Sequence, residues 1–182
     1  YAEKGILHVT VSRDLDPSVT PMELEGGKTY NIVPAYASAQ VNGKKYEAEG
    51  KAAHASRPEL GINATRELCK KLADNGIDHP FVQLMGIADT KGWGIDFEDE
   101  PSGKLTLNPA ISIVTLERAE VKCDLRIPVT YKPEDVVAAI NKAVSPLGFH
   151  AECDFVLDAL YVPKDSELVT TLQKVYKDCT GR

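Results

Sequence analysis

The Asn42-Gly43 pair is the feature that most constrains the fold, because it lies between two strand-like segments. Asn-Gly is the strongest short signal for a two-residue hairpin turn, since both residues accept the positive φ angles that such a turn requires. The segments 29–41 and 45–55 flank it. We therefore predict an antiparallel hairpin, with Pro34 interrupting its first strand because proline has no backbone donor.

Other periodic segments place this hairpin in a larger α+β arrangement. Apolar residues alternate with polar ones in some segments, as in half-buried strands, and recur every three or four residues in others, as in helices. Strands are predicted over 5–14, 104–117, 119–129 and 149–162, and helices over 61–75, 79–89, 133–147 and 165–180. The segment 15–28, rich in Pro, Gly and acidic residues, is predicted to be a loop. This order favours antiparallel sheets with helices packed on one face.

The same pattern predicts the domain organisation. Two subdomains are expected, over 1–90 and 104–163. They are joined by a connecting loop at 91–103, which shows neither the helical nor the strand period. The chain lacks an initiator Met and enters a strand almost at once. We therefore expect a piece of a longer protein, with the helix 165–180 returning to a part that is not included.

Composition excludes several functional classes. The chain has 21 Lys and Arg against 27 Asp and Glu, a net charge of −6. Binding to nucleic acid or to an anionic membrane needs a basic surface, so neither partner is expected. No apolar run approaches the ~20 residues that span a bilayer. We expect a cytoplasmic protein with four free thiols, although two disulfides would be an alternative in a secreted chain.

The residues alone give no complete catalytic motif. The four histidines, at 8, 54, 79 and 150, do not have metal-binding spacings, and no nucleotide-binding loop or serine-hydrolase elbow is present. Paired carboxylates occur within residues 96–100, where a solvated acidic loop is the simpler interpretation. Small residues surround His54 in the segment 50–63, "GKAAHASRPELGIN", and leave room for a ligand. Local pattern alone nevertheless favours packing over chemistry for His54.

Three segments resemble one family of enzymes. Residues 50–64 match the pattern G-x-x-x-H-x-x-x-P-x-x-G-x-N-A at every defined position. This pattern is similar to the lid, or dimerisation, domain of the zinc metallopeptidase family that includes aminoacylase, glutamate carboxypeptidase, carnosinase, succinyl-diaminopimelate desuccinylase and bacterial dipeptidases. "TYNIVPAYASAQV" (29–41) resembles the Asn-x-x-Pro segment of that lid, and "KCDLRIPV" (122–129) resembles its Asp-x-Arg strand. The monomeric bacterial dipeptidases are the most similar branch.

The resemblance implies a ferredoxin-like lid architecture in two related subdomains, and roles for three residues. His54 and Asn31 would be the catalytic residues, as donors to the oxyanion of a tetrahedral intermediate. Arg126 would bind the substrate carboxylate, because its planar fork matches that group. Pairing of Arg126 with a nearby acid is the alternative. Asn63 also belongs to the signature, but its place at a helix start favours capping.

The resemblance also implies what this chain lacks. Two zinc ions would be bound by a catalytic domain absent from it, with no metal site in the chain itself, so hydrolysis by this chain alone is not expected. Its expected partners are the catalytic domain of its own full-length chain and a dipeptide, and a homodimer is an open alternative. Three other functions stay open: the lid of an N-acyl amino-acid deacylase, a structural dimerisation module, and a regulatory module.

Overall fold

The computed structural model describes residues 1–181. In this range the strands are β1 (Ala2–Glu3), β2 (Gly5–Asp14), β3 (Met22–Gly26), β4 (Tyr36–Val41), β5 (Lys44–Glu49), β6 (Glu98–Asp99), β7 (Gly103–Lys104), β8 (Thr106–Val114), β9 (Arg118–Ile127), β10 (His150–Leu157) and β11 (Leu160–Tyr161). The helices are α1 (Ala64–Asp74), α2 (Pro80–Gly86), α3 (Pro133–Val144) and α4 (Glu167–Thr180), with short 3-10 turns at Pro58–Leu60 and Ser145–Leu147.

Seven strands form one antiparallel sheet in the order β10-β2-β9-β8-β3-β4-β5. The predicted hairpin joins β4 and β5, and its turn residues Asn42 and Gly43 have φ values of 50° and 78°. Both angles lie in the left-handed region that this turn requires. Two short ribbons, β1 with β11 and β6 with β7, lie outside the main sheet.

One face of this sheet carries the hydrophobic core. Alternate residues of β2 are buried, namely Leu7, Val9 and Val11, and they join a single apolar cluster with the buried stripes of α1 and α3. Each fully buried Leu or Val side chain contributes about 1.5–3 kcal/mol relative to exposure. The opposite face carries the polar residues of the same strands. The predicted α+β class, with helices on one face of an antiparallel sheet, is confirmed.

The two predicted subdomains contribute to the same sheet. Strand β2, from the segment 1–90, lies between β9 and β10, which come from the segment 104–163. The predicted connecting loop 91–103 contains the buried side chains Trp93 and Ile95 and pairs with itself through β6 and β7. This segment therefore contributes to the core as well as joining the two parts of the chain.

The prediction of a loop throughout 15–28 is wrong. Met22–Gly26 forms β3, which pairs with β4 on one side and with β8 on the other. Its side chains alternate between buried and exposed, as in any half-buried strand. The prolines and glycines around this five-residue segment masked the alternation. It is stabilised by pairing with the next strand, β4, and with the distant strand β8, and by burial of Met22 and Leu24.

The acidic segment 96–100 is also not simply solvated. Asp99 accepts hydrogen bonds from the backbone and hydroxyl of Ser102 and from the backbone and hydroxyl of Thr130. Phe97 stacks on Tyr131 with ring centroids 4.6 Å apart. Burial opposes ionisation of Asp99, but these hydrogen bonds outweigh it and hold its pKa below the ordinary value. Asp99 thus fixes the β6–β7 hairpin against the turn that precedes α3.

The N-cap of helix α4 is Ser166, whose side chain accepts from the backbone of Val169, and its C-cap is Gly181. None of residues 167–180 is buried, and the apolar residues Leu168, Leu172 and Tyr176 are about 60% exposed. No helix in the described part of the chain has the length and apolar character needed to cross a bilayer. All four cysteines are free, as predicted.

Candidate functional site

The segment 50–62 forms a closed loop that presents His54. Lys51 and Ile62 close its base by exchanging two backbone hydrogen bonds, of 2.8 and 2.9 Å. Gly61 is required at this base, because a Cβ atom there would lie 2.8 Å from the carbonyl oxygen of Lys51. The two glycines of the signature, Gly50 and Gly61, therefore allow two chain segments to touch. His54 lies between them on an exposed part of the loop.

The His54 ring has a defined hydrogen-bonding role for each nitrogen. Its Nδ1 lies 3.1 Å from the backbone nitrogen of Ser56 and 2.8 Å from the Ser56 hydroxyl. A backbone N–H only donates, so Nδ1 accepts and the neutral ring carries its proton on Nε2. Nε2 has no hydrogen-bond partner among residues 1–181. With this tautomer, His54 presents Nε2 as an N–H donor, and its own loop directs the ring.

Asn31 lies on the segment that pairs with the His54 loop. The backbone of Ala55 donates to the carbonyl of Asn31, and the backbone of Val33 donates to the carbonyl of Ala53, both at 2.9 Å. Between these bonds, Ile32 and His54 form an antiparallel bridge. The β4–β5 pairing thus continues past the regular strands and brings the predicted residues Asn31 and His54 onto neighbouring segments. The side chains of both are exposed.

Arg126 projects from β9, away from the core, where it binds Asp124 two residues earlier on the same strand face. Arg126 Nε lies 2.8 Å from one carboxylate oxygen of Asp124, and Nη2 lies 3.1 Å from the other. The predicted alternative, pairing with a nearby acid, is therefore present in the structure. The pairing with Asp124 occupies two of the five N–H groups of the Arg126 guanidinium. The Nη1 edge has no acceptor among residues 1–181.

His8 was not predicted as a site residue, yet it contacts this ion pair. His8 on β2 is directly paired with Asp124 on β9, and its Nε2 lies 3.3 Å from the second oxygen of Asp124. Its ring stacks on Tyr30, with centroids 4.0 Å apart and planes at 7°. Burial, with a smaller effect of the Asp154 carboxylate, raises the pKa of Tyr30, so its phenol is neutral.

Asn108 anchors the segment that carries Asn31. It is buried on β8, and its Nδ2 donates to the carbonyls of Tyr30 and Ile32 at 3.0 and 3.2 Å. The two carbonyls on either side of Asn31 are thereby fixed. A continuous set of contacts now runs from Arg126 to His54. It connects the three predicted site residues across strands that are distant in sequence.

Asn63 acts as the predicted cap. Its Oδ1 accepts from the backbones of Thr65 and Arg66 at 3.0 and 3.2 Å, which starts α1. Its Nδ2 donates to the carbonyl of Pro109 at 2.8 Å and ties the helix to β8. Both the oxygen and the nitrogen of the Asn63 side-chain amide are thus hydrogen-bonded. Asn63 therefore holds the end of the His54 loop against the sheet.

No family model matches this chain. A protein of Staphylococcus epidermidis named "Putative dipeptidase" is 26% identical over 226 residues, which covers 100% of this chain and 48% of the relative. The "Putative dipeptidase YtjP" of Bacillus subtilis is 29% identical over 230 residues, with the same coverage. The expected resemblance to the dipeptidases is confirmed. Solved structures give the same result at the level of the fold.

The aminoacylhistidine dipeptidase of Vibrio alginolyticus has a TM-score of 0.56 to this chain at 12% identity. That match covers 100% of this chain and 50% of the Vibrio protein, and it shows a shared fold. The chain likewise spans about half the length of the curated dipeptidase relatives it matches.

The unpredicted residues that contact the predicted site residues differ in the sequence signal that they carry. Asp124 is part of the quoted Asp-x-Arg segment, and strand alternation puts it on the same face as Arg126. This signal was available. His8, Tyr30 and Asn108 had no such local signal. Their contacts follow from which strands are neighbours in the sheet, and the residue pattern does not determine that order.

Proposed function

We propose that this chain is the lid of a dipeptidase and binds a dipeptide with a free C-terminal carboxylate. The observation that carries the proposal is the His54 ring, whose Nδ1 accepts from Ser56 and whose Nε2 is left as the donor. This ring lies on a loop bridged to the Asn31 segment. The whole-chain similarity to proteins named as dipeptidases supports a peptide substrate.

The chemistry proposed for His54 and Asn31 is stabilisation of negative charge. Hydrolysis of a peptide bond passes through a tetrahedral intermediate, whose oxyanion is stabilised by donors already held in place. A neutral imidazole with its proton on Nε2 supplies such a donor without changing its own charge. The amide of Asn31, on the neighbouring segment, would supply a second donor. Neither residue needs to transfer a proton in this role.

Arg126 is proposed to bind the C-terminal carboxylate of the substrate. The fork with Asp124 uses only the Nε side of the guanidinium, and the Nη1 edge remains for a second carboxylate. Arginine binds carboxylates through two parallel N–H bonds, and it can present two such edges. The ion pair with Asp124 is therefore compatible with substrate binding.

A second part of the enzyme is proposed to supply the remaining chemistry. No three His, Cys, Asp or Glu side chains among residues 1–181 are grouped so that they could hold a metal ion. We propose that a separate catalytic domain binds the two zinc ions implied by the resemblance. The exposed apolar face of α4 would pack against that domain. This chain alone would not hydrolyse peptides.

The test uses the full-length enzyme with His54→Ala. We expect kcat for a dipeptide to fall about 10²–10³-fold, the usual effect of losing one oxyanion donor. Lys51→Ala is the matched control, because Lys51 is exposed on the same loop and its hydrogen bonds are made by its backbone. Unchanged turnover in His54→Ala would refute the role. If the full-length enzyme hydrolyses a matched N-acetyl amino acid faster than the dipeptide, the deacylase function is favoured instead.

A further inference from the structure

We infer that His8 and Asp124 are positioning residues that orient Arg126 for the substrate carboxylate, an inference that rests on the proposed function of Arg126. Neither residue would touch the substrate in this role. They would act by fixing which edge of the guanidinium is presented.

Asp124 determines the orientation of the guanidinium. Its side chain is 1% exposed, and its two oxygens bind Arg126 Nε and Nη2 separately. This side-on fork holds the guanidinium plane close to the carboxylate plane. The donors that remain on Nη1 and Nη2 then lie along the adjacent, outer edge of the guanidinium. The direction of that edge follows directly from the direction of the Asp124 carboxylate.

His8 determines the direction of the Asp124 carboxylate. An ionised carboxylate only accepts hydrogen bonds, so the 3.3 Å contact means that His8 Nε2 donates to Asp124. His8 lies on β2 and Arg126 on β9, so the carboxylate is held from two strands. Without His8, the Asp124 carboxylate could turn about its side-chain bonds, and the guanidinium bonded to it could shift with it. The imidazole removes that freedom.

The His8 ring is itself fixed by aromatic contacts. Tyr30 stacks on one face at 4.0 Å, and Phe155 on β10 approaches at 5.2 Å with its plane tilted by 37°. Tyr30 immediately precedes Asn31, and its carbonyl is bound by Asn108. His8 therefore contacts both the arginine pair and the segment carrying the proposed oxyanion donor. This position is what a residue needs to set two substrate-binding groups relative to each other.

Substrate selectivity in the full-length enzyme tests this role. His8→Phe keeps an aromatic ring against Tyr30 but removes the hydrogen bond to Asp124, and Asp124→Asn removes the charge at similar volume. We expect each to raise KM about tenfold for dipeptides with a free carboxylate, with little change for the C-terminal amides. The preference for free carboxylates should therefore fall about tenfold, while kcat changes less than threefold.

The control is Thr10→Ala, which lies on the same face of β2 and bonds Asp154 instead. It should leave the preference for free carboxylates unchanged. A variant that only destabilises the fold lowers the active fraction equally for both substrates. Unchanged selectivity in a folded His8→Phe enzyme overturns the inference, even if Asp124→Asn fails to fold.

Arg126→Ala separates this inference from the function on which it rests. If Arg126→Ala does not affect selectivity, the proposed carboxylate role fails, and the inference fails with it. If Arg126→Ala removes selectivity while His8→Phe and Asp124→Asn do not, only the inference fails. In the double variant with Arg126→Ala, His8→Phe should have no additional effect on selectivity, because the residue it positions is gone. Additive effects would contradict positioning.

Discussion

Gly50 and Ile62 approach so closely that a Cβ atom on Gly50 would lie 2.1 Å from the carbonyl oxygen of Ile62. The atom that this Cβ would meet belongs to the backbone of Ile62, so rotation of a side chain cannot relieve the clash. Gly50→Ala must therefore separate the two segments and break the Lys51–Ile62 bonds that close the His54 loop. We expect the free energy of unfolding to fall by about 1–3 kcal/mol in urea titrations.

Gly86→Ala is the control for that prediction. Gly86 ends α2, and a Cβ atom there would meet nothing within 4 Å. The change should leave stability unaltered or raise it by about 0.4–1 kcal/mol, because alanine loses less backbone entropy on folding. Equal losses at both positions would mean that the close contact at Gly50 is not what makes glycine necessary.

The tautomer of His54 can be measured directly in this chain. We expect ¹⁵N NMR of the neutral ring to show a protonated Nε2 and an unprotonated Nδ1, because the Ser56 backbone donates to Nδ1. Ser56→Ala removes only the hydroxyl contact and should keep the same tautomer as the major form. A ring protonated on Nδ1 would contradict this geometry and the donor role of Nε2.

Asn63 has two functions that substitutions can separate. Asn63→Ser keeps an N-cap acceptor for α1 but is too short to hold the Pro109 carbonyl, so it should cost about 1 kcal/mol. Asn63→Ala loses the cap as well and should cost about 2 kcal/mol. Thermal or urea unfolding measures both. Equal losses in the two variants would mean that the capping hydrogen bonds do not contribute.

The buried side chain of His79 should make the stability of the fold sensitive to acid. Its Nδ1 caps α2 by accepting from Phe81, and its Nε2 is buried without a partner among residues 1–181. Burial, reinforced by Arg13 and opposed by Asp78, lowers the pKa of His79 from 6.5 to about 4. The unfolded chain therefore binds a proton at a higher pH than the folded chain. This contribution to stability is complete above about pH 6.5 and is lost as the pH falls towards 4.

The variant that tests this prediction is His79→Asn, which keeps a capping side chain but does not titrate. Between pH 7.5 and 4.5, the wild-type chain should lose about 2–3 kcal/mol more than the variant. Urea titrations at the two pH values measure the difference. Parallel losses would show that the buried histidine is not responsible for the acid sensitivity.

Features determined by neighbouring residues could be predicted from the sequence, and features determined by strand order could not. The Asn42-Gly43 turn and the Asn63 cap each depend on a few consecutive residues, and both were predicted correctly. Strand β3 was missed because one of the two strands that pair with it, β8, is distant in the sequence. The contact between His8 and Asp124 was missed for the same reason. It exists only because β2 lies beside β9, and nothing local to either strand specifies that neighbour.

The position of β2 has a consequence for how the chain folds. Gly5 pairs with Ile127, and Ile6 pairs with Leu157. Strand β2 is therefore synthesised long before β9 and β10, the two strands that pair with it. During synthesis, β2 has neither of its neighbours in the sheet until β9 and β10 have left the ribosome. Pairing between segments so distant in sequence slows folding, and folding intermediates expose apolar surface for longer. Truncation before β10 should therefore leave an aggregating chain and not a smaller stable domain.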